Sequence, residues 1–108
     1  MTKYIQTIKD YNSILLNNPK KLIIVDFFAT WCGPCKKIAP TIEKLVKMYT
    51  KTCIFIKIDI ENITLEPIVT AYNVNAFPTF VFIKNSSIIG SMTGADSTKL
   101  EFTIKKYI

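Results

Sequence analysis

The chain has 108 residues, 49% of them hydrophobic, which suits one folded core and leaves little for a second domain. Its formal net charge of +6 comes from 14 lysines, with no arginine and no histidine. That balance, with no basic stretch interleaved with aromatics, argues against nucleic-acid binding, and no apolar run approaches the roughly 18 residues of a membrane span.

In chain order, Lys3 to Gln6 read as a short edge strand. Ile8, Tyr11, Ile14 and Leu15 recur at helical spacing, and Asn17-Asn18-Pro19 ends that helix. Leu22 to Ala29 is apolar on both faces, as a strand covered by helices on each side must be. After Trp31-Cys32-Gly33-Pro34-Cys35 comes a helical stretch, Cys35 to Tyr49. Its buried stripe is Ile38, Ile42, Leu45, Val46 and Tyr49, and Pro40 should kink it by deleting one backbone hydrogen bond.

Cys53 to Ile58 predicts a second core strand, and Thr64 to Tyr72 a short helix with Pro67 in its first turn. Thr79 to Lys84 and Ser87 to Met92 form a hairpin around Asn85-Ser86. Asp96 is the expected N-cap of a closing helix whose inner face is Leu100, Ile104 and Tyr107. The order is βαβαβαββα. The first three strands should run parallel through right-handed crossovers, and the last two antiparallel across a tight turn.

Three cysteines and no histidine close several routes. A tetrahedral zinc site would lack a fourth ligand without a carboxylate. Cys-His catalysis is impossible within the chain, and a disulfide scaffold would want more cysteines. Redox chemistry remains. A cysteine pair at a helix entrance makes and breaks disulfides. Cys32 can lose its proton near neutral pH because the helix start offers unpaired N–H groups and a partial positive charge. Cys35, one turn on, is placed to attack the mixed disulfide that Cys32 forms. The bland alternative for the pair is a static disulfide or half of a metal site.

This order of elements, with Trp-Cys-Gly-Pro-Cys after the second strand, resembles the thioredoxin family over essentially the whole chain. Val25-Asp26-Phe27, Lys36, Ile38-Ala39-Pro40, Lys57-Ile58-Asp59, Phe77-Pro78-Thr79 and Gly94-Ala95 match as well. Phe28 stands where the family often has Trp or Tyr. Ser86 replaces a glycine usual in the last hairpin turn, and Phe77 is bulkier than the residue common before the family's cis-proline. The resemblance implies an α/β thioredoxin fold, a mixed five-stranded sheet flanked by four helices, in one domain spanning residues 1–108. It implies a protein-disulfide reductase with a redox-active Cys32–Cys35 disulfide and no bound cofactor or metal. Electrons would come from an NADPH-dependent flavoprotein, thioredoxin reductase.

Within that reading Cys32 is the nucleophile, with Lys36 adding positive charge, and Cys35 is the resolving cysteine, expected to be the less exposed of the two. Asp26, a carboxylate in a strand of Ile, Val and Phe, should have a raised pKa and accept the Cys35 proton. Lys57 would oppose that rise if its strand pairs beside Asp26, as the resemblance implies. Otherwise Asp26 is a satisfied polar core residue and Lys57 a surface lysine.

Gly33 lets a substrate backbone approach, and Pro34 fixes the helix start while offering the thiolate neither charge nor hydrogen bond, which points to a reductant. Trp31, Ala76, Phe77, Pro78, Gly94 and Ala95 should form an apolar rim around the Cys32 sulfur, although Phe77 could simply pack in the core. A cis-Pro78 would leave the preceding backbone free to pair with an extended substrate. Cys53 reads as a small buried hydrophobe. Lys37, Lys44, Lys47 and Lys51 form a solvated face or steer acidic proteins.

The expected partners are disulfide-containing client proteins and the reductase, for a monomer without membrane or nucleic-acid contacts. No signal-peptide pattern opens the chain, so a cytoplasmic location is expected. A secretory or organellar lumen is the alternative if a targeting segment was removed. Two rival functions are a lumenal oxidant or isomerase, which would want a histidine between the cysteines, and a docking subunit of a larger assembly that uses this fold as a surface.

Overall fold

The computed structural model describes residues 2–108. In chain order the elements are strand β1 (Thr2–Tyr4), helix α1 (Ile8–Asn17), β2 (Leu22–Phe28), α2 (Gly33–Met48), β3 (Cys53–Asp59), α3 (Glu66–Ala71), β4 (Thr79–Lys84), β5 (Ser87–Thr93) and α4 (Ser97–Tyr107). The strands form one sheet in the order β1-β3-β2-β4-β5. β1, β3 and β2 are parallel, while β4 runs antiparallel to both β2 and β5. The expected mixed five-stranded sheet with four helices is therefore what the chain adopts.

β2 lies between β3 and β4 and is buried on both faces, which explains its unbroken apolar run. Alternation along the strand splits its side chains between two cores. Leu22 and Ile24 join Phe55, Phe80 and Phe82 beneath Ile38, Ile42 and Leu45 of α2 and Leu100 and Ile104 of α4. Ile23, Val25 and Phe27 join Ile56, Ile58 and Val81 beneath Tyr11 and Leu15 of α1 and Ile68 of α3. α1, α2 and α4 turn most of the apolar stripe read from their spacing toward the sheet, with Tyr49 just past the end of α2 and partly buried. Among the described residues no helix is long and apolar enough to cross a membrane.

Local chemistry moves several boundaries from those expected. β1 ends at Tyr4 because Thr7 is recruited as the N-cap of α1, accepting a hydrogen bond from the Asp10 N–H at 3.1 Å. α2 begins at Gly33, two residues early, because Cys32 itself caps it. The helix continues through Pro40. The stretch expected as one helix from Thr64 is split into a 3-10 turn, Ile63–Leu65, followed by α3. Pro67 has no N–H to continue an α-helical ladder back to Ile63, and the Glu66 N–H bonds the Ile63 carbonyl instead.

In the β4–β5 hairpin both central residues are left-handed, Asn85 at φ 52° and Ser86 at φ 63°. This is the pattern of a type I′ turn, whose twist matches that of the flanking strands. Serine pays a steric penalty in that region that glycine avoids. Ser86→Gly should therefore raise stability by about 0.5–1 kcal/mol, seen as a melting temperature higher by a few degrees. A lower melting temperature for the variant would mean that serine is not strained at this turn.

Candidate active site

The motif lies where β2 ends and α2 begins. Thr30, Trp31, Gly33 and Pro34 are exposed, so the segment forms part of the surface. The Cys32 and Cys35 sulfurs stand at disulfide distance, with their Cα atoms 5.3 Å apart. Cys32 is the N-cap of α2, and its sulfur accepts a hydrogen bond from the Cys35 N–H at 3.1 Å. Pro34 occupies the first turn, where its missing N–H removes no helical bond. A Cβ built on Gly33 would meet no atom within 4 Å, so space beside the motif is open to an approaching chain.

The expectation that Cys35 is the better hidden cysteine needs correction. Cys32 is 4% exposed and Cys35 8%. Both pack with Ala29 in a small cluster that Phe28, Ile60 and Phe77 cover from the sides. The bonded sulfurs shield one another, and part of the cover, Ile60 and Phe77, comes from segments remote in sequence.

Phe77 therefore sits against the cysteines and not in the main core. Trp31, itself exposed, meets it edge to face with ring centroids 5.9 Å apart. The Phe77–Pro78 peptide is cis, and neither the N–H nor the carbonyl of Phe77 has a hydrogen-bond partner among the described residues. The Gly94 N–H donates to the Pro78 carbonyl at 2.8 Å, which brings the loop after β5 beside the cis-proline. Gly94 has φ +101°, a left-handed backbone that suits glycine alone. Ala76 lends its carbonyl to the Thr79 hydroxyl at 2.6 Å. Ala95 packs instead against the core between α2 and α4, outside the cysteine cluster.

In β2, Asp26 is 3% exposed, and its Oδ1 has no hydrogen-bond partner among the described residues. Burial pushes its carboxyl up to about 7, against the pull of Lys57, which lowers it. Lys57 is the residue directly opposite Asp26 in the β2–β3 register. Its ammonium forms no ion pair there, and lies 5.0 Å from the centre of the Phe28 ring. Lys57 and Phe28 line a cavity of about 240 Å³ with Ala29, Thr30, Cys35, Lys36 and Ala39, so both lysines border the same cavity as Cys35.

Two residues at this site were not among those expected. Phe28 could have been found, since it lies two positions after Asp26 on the same face of the strand. Tyr4, whose ring is 5.5 Å from the same ammonium, carries no signal of its own in the sequence. Cys53 lies outside the site, opposite Leu22 at the other end of the sheet. It is buried and free, and burial pushes its thiol up. Among the described residues no cluster of side chains could hold a metal ion.

The thioredoxin family model matches residues 3–106. Thioredoxin 1 of Plasmodium falciparum is 40% identical over 107 residues, 99% of this chain and 98% of that protein. The thioredoxin of Ophiophagus hannah is 39% identical over 108 residues and the full length of both. The X-ray structure of Fasciola hepatica thioredoxin superposes with a TM-score of 0.92 at 40% identity, covering 98% of this chain and 99% of that one. With such likeness over nearly its whole length, and its motif cysteines bonded at a helix start, the chain belongs to the thioredoxin family and is a thiol–disulfide oxidoreductase that reduces protein disulfides.

Proposed function

We propose that Cys32 opens the reaction, Cys35 closes it and Asp26 manages the proton between them. The observation that carries this reading is the Cys35 N–H donating to the Cys32 sulfur at the start of α2. Once the pair is reduced, that donor and the helix terminus favour a thiolate on Cys32. The thiolate attacks one sulfur of a client disulfide, and the other client sulfur leaves and takes up a proton. Cys35 then gives its proton to the Asp26 carboxylate and attacks Cys32. The mixed disulfide breaks, Cys32–Cys35 forms, and the client departs with two electrons as a dithiol.

A base suits this task when its midpoint lies near the working pH, and Asp26 at about 7 meets that condition. Trp31, Phe77, Pro78 and Gly94 form the surface that receives the client, whose extended backbone pairs with the free N–H and carbonyl of Phe77. Gly33 admits that backbone, and Pro34 and Lys36 support the thiolate's setting. Thioredoxins need no bound cofactor. The electrons return from an NADPH-dependent flavoprotein reductase, and the protein acts as a cytoplasmic monomer on many disulfide-bearing clients.

Cys32→Ser should abolish dithiol-driven reduction of a model protein disulfide. Cys35→Ser should accumulate covalent mixed disulfides with several clients, visible on non-reducing gels. Retained turnover in the first variant would overturn the choice of nucleophile. A single stoichiometric, non-covalent partner for the second would favour a docking subunit instead. Asp26→Asn should slow release of the mixed disulfide more than initial attack near neutral pH, measured by stopped flow. Equal slowing of both steps would remove Asp26 from proton transfer.

The same carboxyl makes stability depend on pH. Its folded midpoint of about 7 lies above the unfolded value of 3.8, so between them the folded chain holds a proton that the unfolded chain has released. Stability therefore falls as pH rises through that window, by up to roughly 4 kcal/mol for a shift of this size. In urea titrations of the oxidised form, wild type should weaken relative to Asp26→Asn between about pH 5 and about pH 8. Parallel profiles would show that the carboxyl is not held neutral by burial.

A further inference from the structure

Tyr4 lies on the edge strand and is 62% exposed, a place where an aromatic side chain buries little. The register gives it company. Tyr4 of β1 stands opposite Lys57 of β3, and Lys57 stands opposite Asp26 of β2. Residues opposite one another on neighbouring strands point to the same face, so the three side chains form one transverse row. The Lys57 ammonium lies 5.5 Å from the Tyr4 ring centroid and 5.0 Å from that of Phe28. The two rings meet edge to face with centroids 6.1 Å apart. Both cation distances fall within the range where a ring quadrupole attracts a positive charge.

What the ammonium does not do is as telling. Asp26 is its direct neighbour and has a buried oxygen without a partner, yet the two form no ion pair. Among the titratable groups on this side of the sheet, Asp59 of β3 and Cys35 and Lys36 of α2 lie toward Lys57, whereas Glu43 of α2 (bonded to Thr2 of β1), Tyr49, Cys53 and Lys84 lie farther along. β4 places Phe80 beside Asp26, and α4 brings Leu100, Ile104 and the partly buried Tyr107 to this core, Tyr107 lying against Phe82. None of these groups competes for the Lys57 ammonium at contact distance. The two rings do.

We propose that Tyr4, acting with Phe28, is a positioning residue for disulfide exchange: it draws the Lys57 ammonium onto the rings and withholds it from a full ion pair with Asp26. An ion pair would keep the carboxylate charged and make it a poor proton acceptor, whereas the charge at ring distance moderates it only partly. This role rests on the reading of Asp26 as the acceptor of the Cys35 proton.

The test is the titration of the Asp26 carboxyl, followed by its carbon chemical shift in oxidised protein. Tyr4→Leu keeps an apolar cover but removes the ring, and should move the midpoint downward by about half a pH unit, an amount one exposed cation–ring contact can supply. Tyr4→Phe keeps the ring and should leave the midpoint near that of wild type. In a Lys57→Met background, Tyr4→Leu should move nothing, which a merely structural role for Tyr4 would not produce. An unchanged or raised midpoint for Tyr4→Leu overturns the proposal while leaving the role of Asp26 intact. The pH dependence of mixed-disulfide release should shift along with the carboxyl. A midpoint that moves while release does not would remove Asp26 as acceptor, and with it the part Tyr4 plays in the reaction.

Discussion

β2 is closed to water on both faces, and into that closed strand the chain places a carboxylate. The strand must be closed, because helices cover each side of the sheet and its parallel neighbour leaves no solvated face. A charge in such surroundings is held neutral, balanced by a neighbour, or destabilising. Asp26 sits between the first two conditions. Burial drives it toward the neutral form, and Lys57 pulls it part of the way back. Two residues after Asp26 the strand delivers Phe28, which covers the cysteine cluster and receives the Lys57 ammonium. Phe28 thereby connects the lysine with the cysteine cluster, two residues along the strand from the carboxyl.

At the cysteine cluster the helix starts on sulfur. An N-cap is usually an oxygen side chain that satisfies one of the first free N–H groups. Cys32 fills this place, so the donor that would stabilise a capping oxygen goes to its sulfur. Phe77 and the cis-Pro78 arrive from the opposite side, joined to the β5 end through the Gly94 N–H. The apolar cover shields the bonded pair, while Gly33 leaves one side open.

Much of this was legible in the sequence because the signals were local and strong. A run such as Leu22 to Ala29, apolar at every position but Asp26, admits few readings, and the stripe from Ile38 to Val46 has a clear helical period. The pairing of Asp26 with Lys57 came from resemblance, since register is a relation between strands that neither strand spells out. For the same reason Tyr4 escaped notice. Its neighbour in space is 53 positions away, and its own strand is three residues long. The order of cysteine exposure is not legible in the motif, because Ile60 and Phe77, which help to cover the pair, come from other parts of the chain. The early start of α2 was missed because cysteine is not a residue one looks for at an N-cap.

One compositional fact gives the arrangement its logic. The chain has no histidine, so no side chain in it titrates near neutrality by its own nature. An exposed aspartate would be charged throughout the physiological range, and an ordinary lysine likewise. Burial brings one of these groups to the useful pH, and an aspartate in the most enclosed strand is raised to about 7 by that burial alone, against the lysine's pull. The same burial destabilises the fold once the carboxyl ionises, and a well-packed apolar side chain at this position would avoid that loss. A group whose ionisation weakens the fold is better explained by a reaction than by folding, which fits the proposed acceptance of the Cys35 proton. The lysine opposite it limits that loss, because its charge lies near the carboxylate and pulls the carboxyl down without pairing with it.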